Sequence, residues 1–316
     1  SGPRIAFASD RAGQFDIYTM NPDGTNVTRL TTDPGADRFP AWSATGNRIA
    51  WTQGSDIAVM NADGSGKVNL TADIADVAQR PAWSRDGKFI VFTRQVAGHW
   101  EIWRMYADGS GKVALVPFSM TGADNYDPVV NDRETVFYSQ NGDIYSILLA
   151  GGFPLAVLTG TEVDEVPDIG ARGTMTFSRS TGGPYDIFMA NAYGETGPLG
   201  LSNLTATSTG GAGINDLHSS LSPDDSKVVF AANNGGDLEL WVVGATPPDP
   251  TGQSVVPGAV HITDNAFTDT DPDWGPASGA AAVRGTTTTT TTTKPTVKPT
   301  PKPKVSVTMR GTLMPK

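Results

Sequence analysis

A block of about 45 residues recurs six times along this chain of 316 residues. Each copy contains an apolar triplet, and the six triplets begin at Ile5, Ile49, Ile90, Val136, Met175 and Val228. An acidic residue followed by an aliphatic one comes next, at Asp16, Asp56, Glu101, Asp143, Asp186 and Glu239. A repeat of this length predicts one supersecondary unit per copy, stacked against its neighbours.

Turn signals separate the apolar runs, and they predict short antiparallel strands. Dipeptides such as Asp23-Gly24 and Asp63-Gly64 supply the positive-φ residues of tight hairpins. A third run ends in Leu-Thr or Ile-Thr in several copies, as at Leu30-Thr31. A fourth run centres on a Pro-x-Trp pattern, clearest at Pro40, Pro81 and Pro272. Each copy therefore predicts four strands.

Six copies of four strands, without helical periodicity, predict an all-β fold, a six-bladed β-propeller. The first copy lacks its Pro-x-Trp strand, and an additional one follows the last copy at Pro272–Trp274. Pairing this C-terminal strand with the N-terminal three would close the ring and remove its open edge. We expect one closed domain over residues 1–276, with Trp42, Trp83 and Trp274 packed between blades.

The repeat resembles that of the TolB-type six-bladed propellers. The resemblance is closest over the run from Pro81 to Phe92, PAWSRDGKFIVF, and over the run from Asp16 to Gly24, DIYTMNPDG. It covers residues 1–276 and implies the fold. It does not imply one function, because such propellers occur as periplasmic protein-binding modules, as accessory domains of serine peptidases and in a few lyases.

Charge is divided unevenly along the chain and restricts the classes of partner. Residues 1–276 contain all 33 acidic residues and 16 of the basic ones, a net charge of −17, whereas the last 40 residues carry +7. Such an acidic domain excludes nucleic acid as a partner and favours cations or proteins with basic groups. Cysteine is absent, which excludes disulfides and thiolate metal sites, and no apolar stretch is long enough to span a membrane.

The composition changes after residue 276. Residues 277–304 include eight consecutive threonines and a Thr/Pro/Lys-rich segment, which predict a disordered, extended spacer. This spacer would serve as an interdomain tether or, alternatively, contact the cell wall. Residues 305–316 alternate like the first strand of a further, truncated segment.

Positions that recur in every copy form rings around a propeller axis. Three residues before the Pro-x-Trp proline stand Asp37, Ala78, Asn125, Asp164, Asp216 and Asp269. We expect the four carboxylates of Asp37, Asp164, Asp216 and Asp269 near one mouth of the channel. They would cap their own turns, hold calcium, or receive a basic group of a partner.

A second ring directly precedes the proline position. It consists of Phe39, Arg80, Asp127, Val166, His218 and Asp271. From both rings we predict a partner-binding channel mouth formed by Asp37, Arg80, Asp127, Asp164, Asp216, His218, Asp269 and Asp271. His218 with Asp216 and Asp127 is the one constellation that suits acid–base chemistry.

Two further features carry weaker expectations. The acidic residues that precede each Ile-Tyr step, such as Asp16, are expected to bind turn backbone or arginines such as Arg11. Longer loops at residues 205–214 and 246–258 are candidates for a lid or partner contact, or are tolerated insertions.

The sequence therefore predicts a monomeric, non-catalytic propeller that is secreted, periplasmic or associated with the cell envelope. Its partner would be a protein or peptide with basic groups, or an envelope polymer. The alternative is an accessory or catalytic propeller that acts on an extracellular polysaccharide or peptide. No Gly-x-Ser-x-Gly nucleophile motif supports that alternative.

Overall fold

The computed structural model describes residues 2–171, 173–192, 200–205, 215–233, 236–245 and 258–278. Contacts divide the chain into two units, Ser1–Gly285 and Thr286–Lys316, and all described residues belong to the first. The predicted spacer beyond residue 278, the segment 305–316 and most of both long loops lie outside the described residues.

Six antiparallel sheets of four strands each make up the first unit, which confirms the predicted six-bladed propeller. Blade 1 has the strand order β24 (Asp269–Gly275), β1 (Arg4–Ser9), β2 (Asp16–Met20) and β3 (Thr28–Arg29). The C-terminal strand therefore pairs with β1 and closes the ring as expected. Blades 2 to 6 each consist of four consecutive strands. The inner strand of each blade, nearest the axis, is the one that contains the Pro-x-Trp position. These six strands line the central channel.

The strands are short, as the turn spacing predicts. In blades 1 to 3 they are β1 (Arg4–Ser9), β2 (Asp16–Met20), β3 (Thr28–Arg29), β4 (Asp37–Trp42), β5 (Arg48–Gln53), β6 (Asp56–Asn61), β7 (Val68–Asn69), β8 (Ala78–Trp83), β9 (Phe89–Val96), β10 (His99–Tyr106) and β11 (Val113–Val116). In blades 4 to 6 and at the closure they are β12 (Asn125–Val130), β13 (Thr135–Gln140), β14 (Asp143–Leu148), β15 (Leu155–Leu158), β16 (Val163–Ile169), β17 (Thr174–Ser180), β18 (Asp186–Asn191), β19 (Ser202–Asn203), β20 (Asp216–Leu221), β21 (Lys227–Ala232), β22 (Glu239–Gly244), β23 (Val260–His261) and β24 (Asp269–Gly275).

Helix is almost absent from the described part of the chain. One turn, α1 (Phe118–Thr121), begins after Pro117 and ends at Gly122, which has a left-handed conformation. Within the described residues, no helix has the length and apolar character that crossing a bilayer would require.

The hydrophobic core is divided among the seams between blades. Each of six clusters of buried residues combines the facing sides of two consecutive blades. At the closing seam, Ile5 and Trp274 of blade 1 pack on Val229 and Leu240 of blade 6. Trp42 and Trp83 occupy the corresponding places at the next two seams, which confirms their expected packing role.

The repeated acidic residue and the repeated threonine act together in four of the six blades. The Thr31 hydroxyl accepts a hydrogen bond from the Ile17 N–H at 2.8 Å, and Thr71, Thr205 and Thr263 do the same in their blades. The acidic residue beside that N–H binds the outer strand or the loop after it, as Asp16 binds Arg29 at 2.6 Å. The Leu-Thr pattern is therefore a clamp that fixes the short outer strand. Arg11, expected near Asp16, instead binds Asp269.

The closing seam gives a test of how the ring is stabilised. Trp274→Ala removes a side chain that is 7% exposed and leaves a cavity between blades 1 and 6. We expect the free energy of unfolding to fall by about 3–5 kcal/mol, measured by urea denaturation. Phe153→Ala is the control, because the Phe153 side chain is 86% exposed. An equal loss in both variants would contradict a dominant role for the seam.

Candidate functional site

The inner strand of every blade is interrupted by a bulge at the same position. Its pairing with the next strand shifts register there in all six blades. The residue at the bulge is left-handed each time, with φ of 51° at Phe39, 56° at Arg80, 53° at Asp127, 53° at Val166, 52° at His218 and 52° at Asp271. In five blades the next residue is the repeated proline, which fits here because a bulge needs no donor for the ladder.

The bulge directs these six side chains to one end of the axial channel, which we call the upper mouth. They line a cavity of about 130 Å³ together with the proline-position residues below them. Five of the six side chains are partly exposed, and Asp271 is buried. A left-handed conformation costs about 1–2 kcal/mol in an L-residue, and it is least suited to a β-branched one such as Val166.

The upper mouth is cross-linked by charge and aromatic contacts. Arg80 donates to Asp127 of the next blade. Its guanidinium also lies over the Phe39 ring, 4.2 Å from the centroid, and Arg38 stands 4.9 Å from the same centroid. The edge of His218 meets this ring at 6.3 Å, with an interplanar angle of 85°. Phe39 is therefore held at the mouth by two cations and a histidine from three blades.

Asp271 is the most strongly bound carboxylate of the ring. Nδ1 of His218 lies 3.0 Å from its Oδ1, and Nε of Arg38 lies 2.9 Å from its Oδ2. Burial alone would raise the pKa of Asp271, but the adjacent His218 and Arg38 outweigh it and hold the pKa well below its ordinary value. The acid–base partner of His218 in this geometry is Asp271, whereas Asp127 binds Arg80 and Asp216 is buried.

The other predicted ring lies elsewhere. Asp37, Asp164, Asp216 and Asp269 lie at or next to the first residue of their inner strands and are at most 2% exposed. Asp164 binds Arg179 through two hydrogen bonds, of 2.6 and 2.7 Å, and Asp269 binds Arg11 in the same way. Asp37 accepts from Trp51 Nε1 at 3.0 Å, and burial raises its pKa to about 6. The predicted partner-binding set thus divides, and only Arg80, Asp127, His218 and Asp271 meet at the upper mouth.

The geometry gives no support to the predicted calcium site. In the part of the chain that the structure describes, no three histidine, aspartate or glutamate side chains are grouped closely enough to hold a metal ion. The partners found for Asp164 and Asp269 are arginines. An arginine bound in this way occupies the carboxylate oxygens that a calcium ion would need.

The opposite end of the channel, the lower mouth, opens into a cavity of about 360 Å³. Here the middle residue of Pro-x-Trp faces the axis, and in three consecutive blades its side chain accepts the backbone N–H of the next blade. Asp168 accepts from Leu221 at 2.7 Å, Ser220 from Trp274 at 3.0 Å, and Asp273 from Trp42 at 2.5 Å. The sequence analysis missed this ring, although its position in the repeat was visible.

Two of these axial groups are carboxylates with perturbed pKa values. Burial raises the pKa of Asp273 to about 7, opposed by the hydrogen bond from Trp42 and reinforced by the charge of Asp168. Burial also raises the pKa of Asp168. Both carboxylates accept a hydrogen bond from the next blade. Their raised pKa values therefore result from burial at these contacts between blades.

Blade 3 has an elaborated upper face that the sequence analysis also missed. Strands β9 and β10 contain eight residues each, against six for β5 and β6 of blade 2. Trp100 of the longer hairpin borders a cleft of about 630 Å³ beside the upper mouth. This side cleft is lined by Gln79, Arg80, Trp100, Asp124, Tyr126, Asp127, Ser139, Gln140, Asn141, Gly142, Val163 and Glu165. The extra Ala97-Gly98 turn before His99 and Trp100 was the available signal.

Comparison with known proteins agrees with this architecture. No family model matches the chain. A segment of 113 residues is 31% identical to the protein TolB homologue of Chlorobaculum tepidum and covers 34% of this chain. That segment spans 26% of the relative, about a quarter of its length.

Solved structures extend the likeness to most of the chain. TolB from Acinetobacter baumannii superposes with a TM-score of 0.70 at 16% identity, over 87% of this chain and 67% of that one. An oligogalacturonate lyase in complex with manganese gives a TM-score of 0.52 at 12% identity, over 79% of this chain and 72% of that one. The predicted resemblance to TolB-type six-bladed propellers is confirmed, and the fold is shared by proteins with different functions.

The lower mouth predicts how stability depends on pH. A carboxyl whose pKa is about 7 when folded, and near its ordinary value of 3.8 when unfolded, favours folding only while it is protonated. The free energy of unfolding should therefore fall as the pH rises from about 4 to 7, by up to about 1.4 kcal/mol per pH unit from this group.

Asp273→Asn should flatten this slope, because the amide keeps an acceptor for Trp42 and does not ionise. Urea midpoints between pH 4 and pH 7 are the measurement. Asp63→Asn is the matched control: the hydrogen bond from Ser65 lowers the pKa of Asp63, so this group acts only at lower pH. A wild-type slope in Asp273→Asn would show that this carboxyl is not the titrating group.

Proposed function

We propose that this propeller is a non-catalytic module that binds another protein or peptide at its upper mouth. The observation that carries the proposal is the ring of bulge residues. The backbone at these positions requires a left-handed conformation but no particular side chain. The six positions nevertheless carry large or charged side chains in most blades: Phe39, Arg80, Asp127, Val166, His218 and Asp271. Bulges of this kind aim side chains at functional surfaces.

The chemistry of the upper mouth is that of a protein-binding surface. Arginine and aromatic side chains are enriched in the centres of protein interfaces, and they dominate the energy when they are anchored. Phe39 is anchored by Arg38, Arg80 and His218, so a partner would meet a preorganised surface. Preorganised contacts lose less side-chain entropy on binding.

Charge favours a partner with basic groups. The segment 1–276 carries a net charge of −17, which attracts cationic proteins over distances longer than direct contact. At the mouth itself, Asp127 is matched to Arg80 and Asp271 to Arg38 and His218. A lysine or arginine of the partner would compete with Arg80 for the partly exposed Asp127, whereas Asp271 would keep its present partners.

The resemblance to TolB supports a protein-interaction role outside the cytoplasm. We propose a secreted, periplasmic or envelope-associated location for this chain, with a monomeric propeller and residues 277–304 as a tether. An envelope polymer is the other partner class that the acidic surface admits.

One observation favours a second candidate function, an enzyme or an accessory propeller acting on an extracellular polysaccharide or peptide. His218 and Asp271 form a pair at 3.0 Å beside an axial cavity, as an acid–base dyad would. The likeness to oligogalacturonate lyase shows that this fold accommodates catalysis. His218→Asn separates the two functions, because a catalytic pair would lose turnover and a binding surface would lose affinity.

Photocrosslinking at the mouth tests the binding proposal directly. A photoreactive phenylalanine analogue at Val166 should capture an envelope protein in an extract of the source organism. The same analogue at Ala44, on the lower mouth, should capture none. Equal capture at both positions would contradict an upper-mouth site.

The captured partner then allows a quantitative prediction. Phe39→Ala should weaken binding about tenfold or more, equivalent to at least about 1.4 kcal/mol, as measured by titration calorimetry. Asp127→Asn should weaken binding and reduce its salt dependence. Arg85→Ala, at the lower mouth, is the control and should leave the dissociation constant within about twofold. Unchanged affinity in Phe39→Ala would refute the assigned surface.

A further inference from the structure

The side cleft is a separate concave surface whose lining the proposed protein-binding role does not explain. Its volume of about 630 Å³ lies within the usual range for ligand sites, about 300–1,000 Å³. Residues of blades 3, 4 and 5 form it, and among the residues that the structure describes it shares only Arg80 and Asp127 with the upper mouth.

Two aromatic rings stand in this cleft. Trp100 and Tyr126 lie with their centroids 5.9 Å apart, tilted by 45°, and both are partly exposed. Tyr126 belongs to the inner strand of blade 4, and Trp100 belongs to the lengthened hairpin of blade 3. An aromatic face that remains partly exposed in a cleft is available for an apolar ligand face.

The Trp100 side of the cleft is fixed before any ligand binds. The backbone N–H of Trp100 donates to Asp124 Oδ1 at 2.9 Å, and His99 Nδ1 lies 3.4 Å from the same oxygen. His99 in turn stacks on Phe118 of α1, with centroids 3.6 Å apart. The extra helix therefore supports the hairpin that carries Trp100, which reduces the ordering cost of binding.

The polar lining offers donors and acceptors together. Asp124, Asp127 and Glu165 contribute carboxylates, Gln79 and Asn141 contribute amides, and Arg80 contributes a guanidinium. The Tyr185 hydroxyl donates to Glu165 Oε2 at 3.3 Å and holds that carboxylate at the cleft. A cationic side chain would need acceptors alone, whereas a ligand hydroxyl both donates and accepts.

The charge of the lining restricts the ligand further. Three carboxylates face one guanidinium, so a phosphate or a uronate would be repelled. A pyranose ring has an apolar C–H face for an aromatic ring and several hydroxyls for planar polar groups. An uncharged sugar would stack on the aromatic rings, form hydrogen bonds with both the donors and the acceptors, and avoid repulsion by the carboxylates.

We propose that the side cleft binds a neutral oligosaccharide, with one sugar ring on Trp100 and Tyr126 and its hydroxyls on Glu165, Asp124 and the amides. This inference does not rest on the proposed protein-binding function. A propeller with both sites would hold a protein at the upper mouth and a glycan beside it.

Titration calorimetry of the full chain with cellotriose, maltotriose and chitotriose tests the proposal, and trigalacturonate serves as the anionic probe. At least one neutral trisaccharide should bind with a dissociation constant below about 1 mM, and trigalacturonate should bind at least about tenfold more weakly. No heat from any neutral probe up to about 10 mM, or equal binding of the anionic probe, would overturn the proposal.

Two variants locate the binding. Trp100→Ala should weaken the bound trisaccharide about tenfold or more. Glu165→Gln retains the shape of the cleft and should weaken it about threefold or more, even if Trp100→Ala fails to fold. Phe153→Ala removes an exposed aromatic side chain that does not line the cleft, and should have no effect. Wild-type affinity in Glu165→Gln and in folded Trp100→Ala would refute the site.

A basic peptide is the competing occupant, and the same experiment distinguishes it. Trilysine added at about 1 mM should not displace the trisaccharide. Binding of trilysine that depends on Glu165, together with no binding of any neutral trisaccharide, would assign the cleft to a partner's cationic side chain and overturn the glycan proposal.

Discussion

In every blade, one residue of the inner strand adopts a left-handed conformation and forms a bulge. The strand then continues into the Pro-x-Trp residues, which pack at the seam between blades. This bulge determines what the inner strand presents along the axis. Above it, side chains face the upper mouth; below it, the Pro-x-Trp residues face the channel and the neighbouring blade. The repeated proline is compatible with this geometry because the shifted register requires no donor at that place. The packing at the seams and the side chains at both mouths therefore depend on this shift in register.

The two ends of the channel use that shift differently. At the lower mouth, Asp168, Ser220 and Asp273 accept backbone N–H groups of the next blade, so their chemistry serves ring closure. At the upper mouth, bulge residues contact one another across blades, and all of them except Asp271 remain partly exposed. Closure and recognition are thus separated along a single strand. At the lower end burial raises the pKa values of Asp168 and Asp273, whereas at the upper end His218 and Arg38 hold the pKa of Asp271 low.

The fold could be predicted from the sequence because six repeats over-determine it. The triplets and the acidic-aliphatic steps recur in every copy, the seam tryptophan recurs in three copies, and each has one structural role. The site could be predicted only in part. Arg80, Asp127, His218 and Asp271 were identified, but Asp37 and Asp164 were placed at the mouth although they are buried. Repetition alone does not tell which side of a strand a residue faces once a bulge intervenes.

The side cleft depends on one lengthened hairpin and on the stacking of His99 upon Phe118, which no repeat position encodes.

The central claim is that the bulge ring is imposed by the backbone, so that its exposed side chains are free to serve binding. A variant with Phe39, Arg80, Asp127, Val166 and His218 all replaced by asparagine tests it, since asparagine tolerates the left-handed conformation. Asp271 keeps Arg38 as its partner in this variant. Urea denaturation should give a free energy of unfolding within about 2 kcal/mol of the wild-type value, with the loss of side-chain contacts partly offset by relief of strain at Val166. Failure to fold, or a loss above about 4 kcal/mol, would show that these side chains stabilise the ring and contradict the account.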